Sequence, residues 1–307
     1  MIPIAELPLA LQLAWAAVFG LVVGSFLNVA IHRLPAEGLS IFRPLRSFCP
    51  ACEATLSWME NLPVASWMLQ GGRCRHCSAR ISWRYPLVEL LTAGLWCLAV
   101  WRTPLELWPL LGVHLLVLSG LLVATFVDFD RFEIPDEVSI GGMILAPLLS
   151  FLVPSLHVDS WVARELSGGA GLEAWAALVA SLAGLAVGAG VLLFIGMLGR
   201  AAFGRDAMGL GDVKLLAAGG GFIGPGGALV ALVVASVLAS IAGGLNIVRF
   251  ALLSRARARQ RGRPAPWSRS LRTGRIAGRY VPFGPYLGMG IGIVLLAWNH
   301  VRELFLS

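Results

Sequence analysis

Six residues of this chain have the type and placement to do chemistry: two aspartates and four cysteines. Asp128 follows an apolar run directly and opens "DFDRFEIPDE" (128–137), while Asp212 closes "GLGD" (209–212) just ahead of another apolar segment. If both carboxylates face one water, mutual repulsion keeps one protonated while the other is ionised. The ionised member can deprotonate the water, and the protonated one can donate to a substrate carbonyl. That is aspartyl peptide hydrolysis, with the pair titrating as a unit. A plainer account competes, in which Asp128 pairs with Arg131 and Asp212 with Lys214 as cap salt bridges. The other acids of the cluster have ready explanations. Asp136 and Glu137 follow Pro135 at a helix start, where negative charge suits the N-terminus, and Asp130 and Glu133 read as a solvated loop around Arg131. Asp128 has none, and it stands at an apolar boundary where an acid is expensive.

The cysteines form C-x2-C pairs, Cys49/Cys52 and Cys74/Cys77, separated by 21 residues. Each pair can wrap two thiolates around one tetrahedral ion, so the expectation is a four-thiolate zinc site. Four thiolates leave no open position, which makes the zinc structural. His76 reads as a surface residue between ligands, and Cys97 as a packed small hydrophobe inside an apolar span. Glu60 and Glu89 are the acids of this region most closely surrounded by apolar residues. Glu89 falls one turn into a predicted span, where a charge is expensive unless paired; a structural tether to Arg84 accounts for it about as well as a catalytic role.

Long apolar runs must position these groups. Of the 307 residues, 57% are hydrophobic and only 13% charged, against roughly a quarter charged in soluble domains. Apolar blocks of about twenty residues match a bilayer core, so the expected fold is an all-α polytopic membrane protein. Spans are predicted at about 9–31, 86–101, 107–127, 138–154, 173–198, 213–224, 227–250 and 282–301, making about eight transmembrane helices. This divides the chain into a first transmembrane helix (1–31), a cytoplasmic zinc-binding domain (32–85) and a membrane domain (86–307). No cleavable signal peptide is expected. On this topology 21 of the 24 basic residues face the cytoplasm, as the positive-inside rule asks, with both termini outside. A reducing cytoplasm also disfavours disulfides in the cysteine loop. The net charge of +7 is therefore read as orientation, not nucleic-acid binding. The arginine-rich stretch 254–279 reads as an anchor beside anionic lipid head groups, and 155–172 as an outer loop. The tryptophans and phenylalanines read as packing and interfacial belts.

The ordered motifs resemble those of the bacterial type IV prepilin peptidases, the leader peptidase/N-methyltransferases of the G-x-G-D membrane aspartyl protease class. They are "GSFLNVAIHRLP" (24–35), the four-cysteine loop with "ENLPVASW" and "SARISWRYPLVELL", "VDFDRFEIPDE", "GLGDVK" and "VPFGPYLGMG" (281–290). The resemblance implies that Asp128 and Asp212 are the catalytic pair and that the cysteine loop is cytoplasmic and binds zinc. It implies a type IV prepilin, or a pilin-like type II secretion subunit, as substrate, cut behind a short basic leader at the inner membrane. It also implies S-adenosylmethionine-dependent methylation of the new N-terminus, associated with the cysteine-containing region. No Rossmann-type glycine fingerprint marks a methyl-donor site, and Glu60 is a candidate contributor. Asp130, Glu133, Asp136 and Glu137 are expected to attract the basic leader. The competing class is a transport or assembly protein whose acids carry protons or cations and whose zinc loop docks partners. Such sites usually lie near the bilayer midplane, whereas both aspartates are predicted at one edge.

Overall fold

The computed structural model of the chain describes residues 8–36, 38, 40–44, 46–168, 171–204, 208–260, 266–267, 270–272 and 281–306. Much of the arginine-rich stretch, and residues 1–7 at the start, lie outside the described residues. The helices are α1 (Leu9–Arg33), α2 (Ala65–Leu69), α3 (Arg84–Arg102), α4 (Trp108–Arg131), α5 (Asp136–Leu152), α6 (Trp161–Leu166), α7 (Ala174–Phe203), α8 (Leu210–Gln260) and α9 (Gly284–Leu306). Extended structure among the described residues is limited to isolated bridges, two of them in the cysteine module.

The all-α architecture is as expected, but the number of membrane-length helices is not. Among the described residues, four helices are long and apolar enough to cross a bilayer: Leu9–Arg33, Leu105–Arg131, Ala174–Ala202 and Leu210–Gln260. The expectation of about eight crossings is overturned, and length is the physical reason. The predicted spans 213–224 and 227–250 belong to the single element α8, broken at Gly224 (φ 73°) ahead of Pro225. Only glycine adopts such a conformation easily, and the chain reverses there. Side chains or backbone of the consecutive α9 residues Gly290 and Ile291 touch Ala231 beyond the break and Gly219 before it. The arm before the break, about 21 Å long at 1.5 Å per residue, falls short of the roughly 30 Å bilayer core. Helix α5 has 17 residues, the apolar part of α9 is Gly284–Ala297, and the 19 residues of α3 include Arg84, Glu89 and Arg102.

Backbones approach closely at small residues, as membrane helices require when lipid supplies no hydrophobic drive between them. A Cβ added to Gly184 of α7 would sit 2.0 Å from the Gly220 carbonyl oxygen of α8. Gly24 of α1 likewise faces the Glu89 backbone of α3, with 2.6 Å from an added Cβ to Cα. Helix α4 stands between two cores. One of its faces packs Val117, Leu121 and Ala124 with Leu216, Leu287 and Ile291 of α8 and α9. Another packs Leu122, Val123 and Val127 with Leu27, Ile31 and Val88 of α1 and α3. The C-terminal end of α4 thus lies where both halves of the molecule meet, and Asp128 is in its last turn.

Candidate active site

The end of α4 follows from its sequence. Phe132 takes the left-handed conformation that stops the helix, and its N–H donates to the Asp128 carbonyl at 2.9 Å. Pro135 then precedes α5, whose first turn holds Asp136 and Glu137, as expected. Ile134 in the connection is buried. It touches Gly211 at the start of α8 and Gly284 at the start of α9, so one isoleucine gathers three chain segments around Asp128.

Asp128 is buried, with 6% of its surface exposed. Its Oδ2 accepts the Gly284 N–H at 3.0 Å, one of the N–H groups that a helix start leaves without an internal partner. Asp212, third residue of α8, is half-buried beside Gly209. Ile134 touches both Gly211, the residue before Asp212, and Gly284, whose N–H holds Asp128, so the two aspartates are drawn to the same side chain. The predicted pair therefore meets at one place, from two helix ends. The salt-bridge account of these acids fails: Lys214 pairs with Asp136 instead, and the Asp128 carboxylate is held by a backbone amide. Neither aspartate has an ion-pair partner among the described residues.

Two acids once expected to attract a leader are already engaged. Asp130 is ion-paired to Arg84 and Asp136 to Lys214, leaving Glu133 and Glu137 exposed. Arg84 also donates to the Phe126 carbonyl at 2.9 Å and stacks over the Phe126 ring. The expected Arg84–Glu89 tether is thus absent. Glu89 instead accepts the Val64 N–H at 2.7 Å. Sequence reading missed Gly284, Ile134 and the Arg84–Asp130 bridge as positioning groups. The only available signal was their place inside the quoted motifs.

The four cysteines converge, with their sulfur atoms within 4.8 Å of one another. Both knuckles are built the same way. Cys49 N–H donates to the Ala54 carbonyl and Glu53 N–H to the Cys49 carbonyl; Cys74 pairs with Ala79, and Ser78 with Cys74, in the same pattern. Glu53 and Ser78 occupy matching positive-φ positions. This turns two sulfurs of each loop toward one point, a four-cysteine metal-binding cluster. The Ala51 backbone N–H favours the Cys49 thiolate, whose pKa is lowered to about 7, the form that a metal binds. Glu60 accepts from the Ser57 N–H and hydroxyl at 2.9 and 2.8 Å, which hold its carboxyl below the usual range. His76 lies 3.4 Å from Glu60, and its N–H faces the Cys74 sulfur. Cys97 packs inside α3 against the Leu13 carbonyl.

Membrane-length helices, a four-cysteine module and two acids brought together from helix ends define a polytopic membrane protein with a candidate acid pair. Comparison with known proteins narrows that class. Residues 18–103 match the Bacterial Peptidase A24 N-terminal domain, and residues 115–244 match the Type IV leader peptidase family. A prepilin leader peptidase/N-methyltransferase of Aeromonas hydrophila is 33% identical over 94% of this chain and 92% of its own length. The protein so named in Stutzerimonas stutzeri is 31% identical over 99% and 96%. That of Myxococcus xanthus is 37% identical over 75% and 62%. The chain belongs to the bacterial type IV prepilin peptidase family. No solved structure matches it.

Proposed function

We propose that this protein removes the short basic leader from type IV prepilins or pilin-like type II secretion subunits, with Asp128 and Asp212 as an aspartyl pair. The observation that carries this reading is the meeting of two motif carboxylates from separate helix ends, neither neutralised by a cation. One carboxylate takes a proton from the attacking water while the other donates to the scissile carbonyl oxygen. Collapse of the tetrahedral species then returns a proton to the leaving nitrogen. Residues 86–307 carry the peptidase in this reading, and 32–85 form the zinc module. Both sit at the cytoplasmic face of the inner membrane, a placement supported by the seven arginines of 32–85 and the positive-inside rule. A pilin helix held in the bilayer presents its cleavage site at that level, with its basic leader near Glu133 and Glu137.

The second activity is methylation of the new N-terminal amine with S-adenosylmethionine, supported by the names of the relatives. When bound, that cosubstrate supplies an electrophilic methyl group. The chain's residues must orient the amine and let it shed a proton. Co-expression with a prepilin, followed by mass spectrometry of the pilin N-terminus, tests both activities. A shortened and methylated pilin is expected. A full-length pilin beside well-inserted enzyme overturns the peptidase reading.

Gly284→Ala isolates the positioning of Asp128. The new Cβ would lie 2.6 Å from Asp128 Oδ2 and 3.1 Å from Ile134, so the carboxylate must shift. Cleavage is expected to fall by roughly 100-fold, the scale of a misplacement of about 1 Å, while the protein still accumulates. Unchanged cleavage kinetics would show that Asp128 does not need this geometry.

The four-thiol cluster fits zinc by donor type and number. Cys74→Ser removes a buried ligand. Zinc measured by elemental analysis is expected to drop from about one per chain to near zero, with the module becoming protease-sensitive. Retained zinc in this variant would contradict a four-thiolate site.

A further inference from the structure

We propose that the cavity of about 360 Å³ between α1, α3 and the cysteine module holds S-adenosylmethionine, with Glu89 and Glu60 facing its cationic end. The proposal rests on the methylation reading above. Its volume falls in the range of small-molecule sites, roughly 300–1,000 Å³, and its chemistry favours a cationic ligand. Glu89 lines it and is 7% exposed. Its carboxylate accepts the Val64 N–H and a bond from Ser25, and it has no basic partner among the described residues because Arg84 is turned to Asp130. A buried carboxylate is costly until a cation joins it.

Glu60 is a second carboxylate on the same cavity, kept in its charged form by Ser57. Of the cations nearby, His76 stands 3.4 Å from the Glu60 carboxylate and counters it only when protonated, while Glu89 has none among the described residues. Arg33 is spent on four backbone carbonyls, those of Ser40, Ile41, Pro44 and Arg46. Arg80 lines the cavity and is exposed, placed to meet a ligand carboxylate. Trp67 and Tyr85 supply aromatic faces for a purine, and the Trp67 ring is fixed by its bond to the Ile81 carbonyl at 3.2 Å. An ammonium, a sulfonium, a carboxylate and a purine on one small molecule match these features together.

The position suits the acceptor as well. Glu89 is level with Gly24 of α1, about 13 Å along the helix from its end at Arg33. The cavity floor therefore lies alongside the membrane-length helix α1, inside its end. Tyr85 lines the cavity while its neighbour Arg84 grips Asp130, two residues from Asp128, so the start of α3 borders the cavity and also holds the helix end that carries Asp128. The amine freed at the pair must then move from that helix end to the donor. Its nitrogen lone pair takes the methyl carbon, the carbon–sulfur bond breaks with its electrons left on sulfur, and the proton shed by the amine goes to water.

The test is equilibrium binding of S-adenosylmethionine and of S-adenosylhomocysteine, its neutral-sulfur product, to the purified full chain in nanodiscs. Glu89→Gln is expected to weaken the sulfonium compound by about tenfold or more and the product less, lowering the preference between them. Glu60→Gln should move the same ratio and serves if Glu89→Gln fails to accumulate, and Trp67→Ala should weaken both ligands. Equal binding of both ligands to wild type and all three variants overturns the site while leaving methylation intact. Unchanged donor binding with a raised KM for prepilin in the glutamate variants also overturns it, by assigning the cavity to the basic leader. Wild type that binds neither ligand and yields cleaved, unmethylated pilin overturns the methylation reading itself.

Discussion

Asp128→Asn and Asp212→Asn are each expected to leave the pilin leader attached if the two are the proposed pair, with cleavage reduced by about 10³-fold or more, the scale of lost acid–base catalysis. The substitution is nearly isosteric, and an Asn carbonyl at 128 can still accept the Gly284 N–H that holds Asp128 at 3.0 Å, so the helix ends stay together. What disappears is the shared proton. An amide neither takes a proton from water nor donates one as an acid, so either change alone disables the pair. The double variant should therefore be no slower than the worse single one, the non-additivity of groups acting as a unit. Methylation should vanish in parallel, because no new amine is released. Mass spectrometry of co-expressed pilin reads both results. Additive losses, or cleavage surviving in either well-inserted variant, would separate the aspartates and end the two-acid mechanism.

Gly184→Ala should be the most damaging of the small substitutions for assembly. The added Cβ would stand 2.0 Å from the Gly220 carbonyl oxygen, and a Cβ on Gly220 would stand 2.3 Å from the Gly184 oxygen. Both obstacles are backbone, so neither can swing aside, and α7 must move off the short arm of α8. That arm begins with Asp212, so the displacement reaches the site. Overpacking of a tight interior costs about 1–3 kcal/mol, occasionally more. The upper end is expected here, seen as a lower unfolding temperature in detergent and weaker accumulation. Gly190→Ala in the same helix is the control, since nothing lies within 4 Å of its added Cβ. It should be neutral or slightly stabilising, as alanine outranks glycine in helices. Equal behaviour of the two variants would mean that α7 and α8 do not depend on this contact.

Much of the local structure was legible because it depends on neighbouring residues. The apolar run ending at Val127 predicted a helix that the structure extends to Arg131, and Pro135 with Asp136 and Glu137 correctly marked the start of α5. The C-x2-C spacings placed four sulfurs that do converge. Errors arose where hydropathy had to stand for length and direction. Residues 213–224 are apolar enough to suggest a crossing, yet a glycine turn makes them a short arm folded back on its own helix. Charge pairing was misassigned for a similar reason. Arg131 and Lys214 were the nearest cations in sequence, while the ion pairs formed join Arg84 to Asp130 and Lys214 to Asp136, 46 and 78 positions apart.

By itself the sequence determined that this is a helical membrane protein, which two aspartates stand at helix ends, and which four cysteines can share a metal. Those properties reside in composition and short spacing, which bilayer thickness and tetrahedral coordination read directly. Only the tertiary structure decided that Asp128 and Asp212 meet, that Gly284 anchors Asp128 from 156 positions away, and that Glu89 faces a cavity without a cation. Each depends on how whole helices pack through glycine contacts and on Ile134 wedged among three segments. Such distances arise from the sum of many contacts, so no local pattern along the chain encodes them.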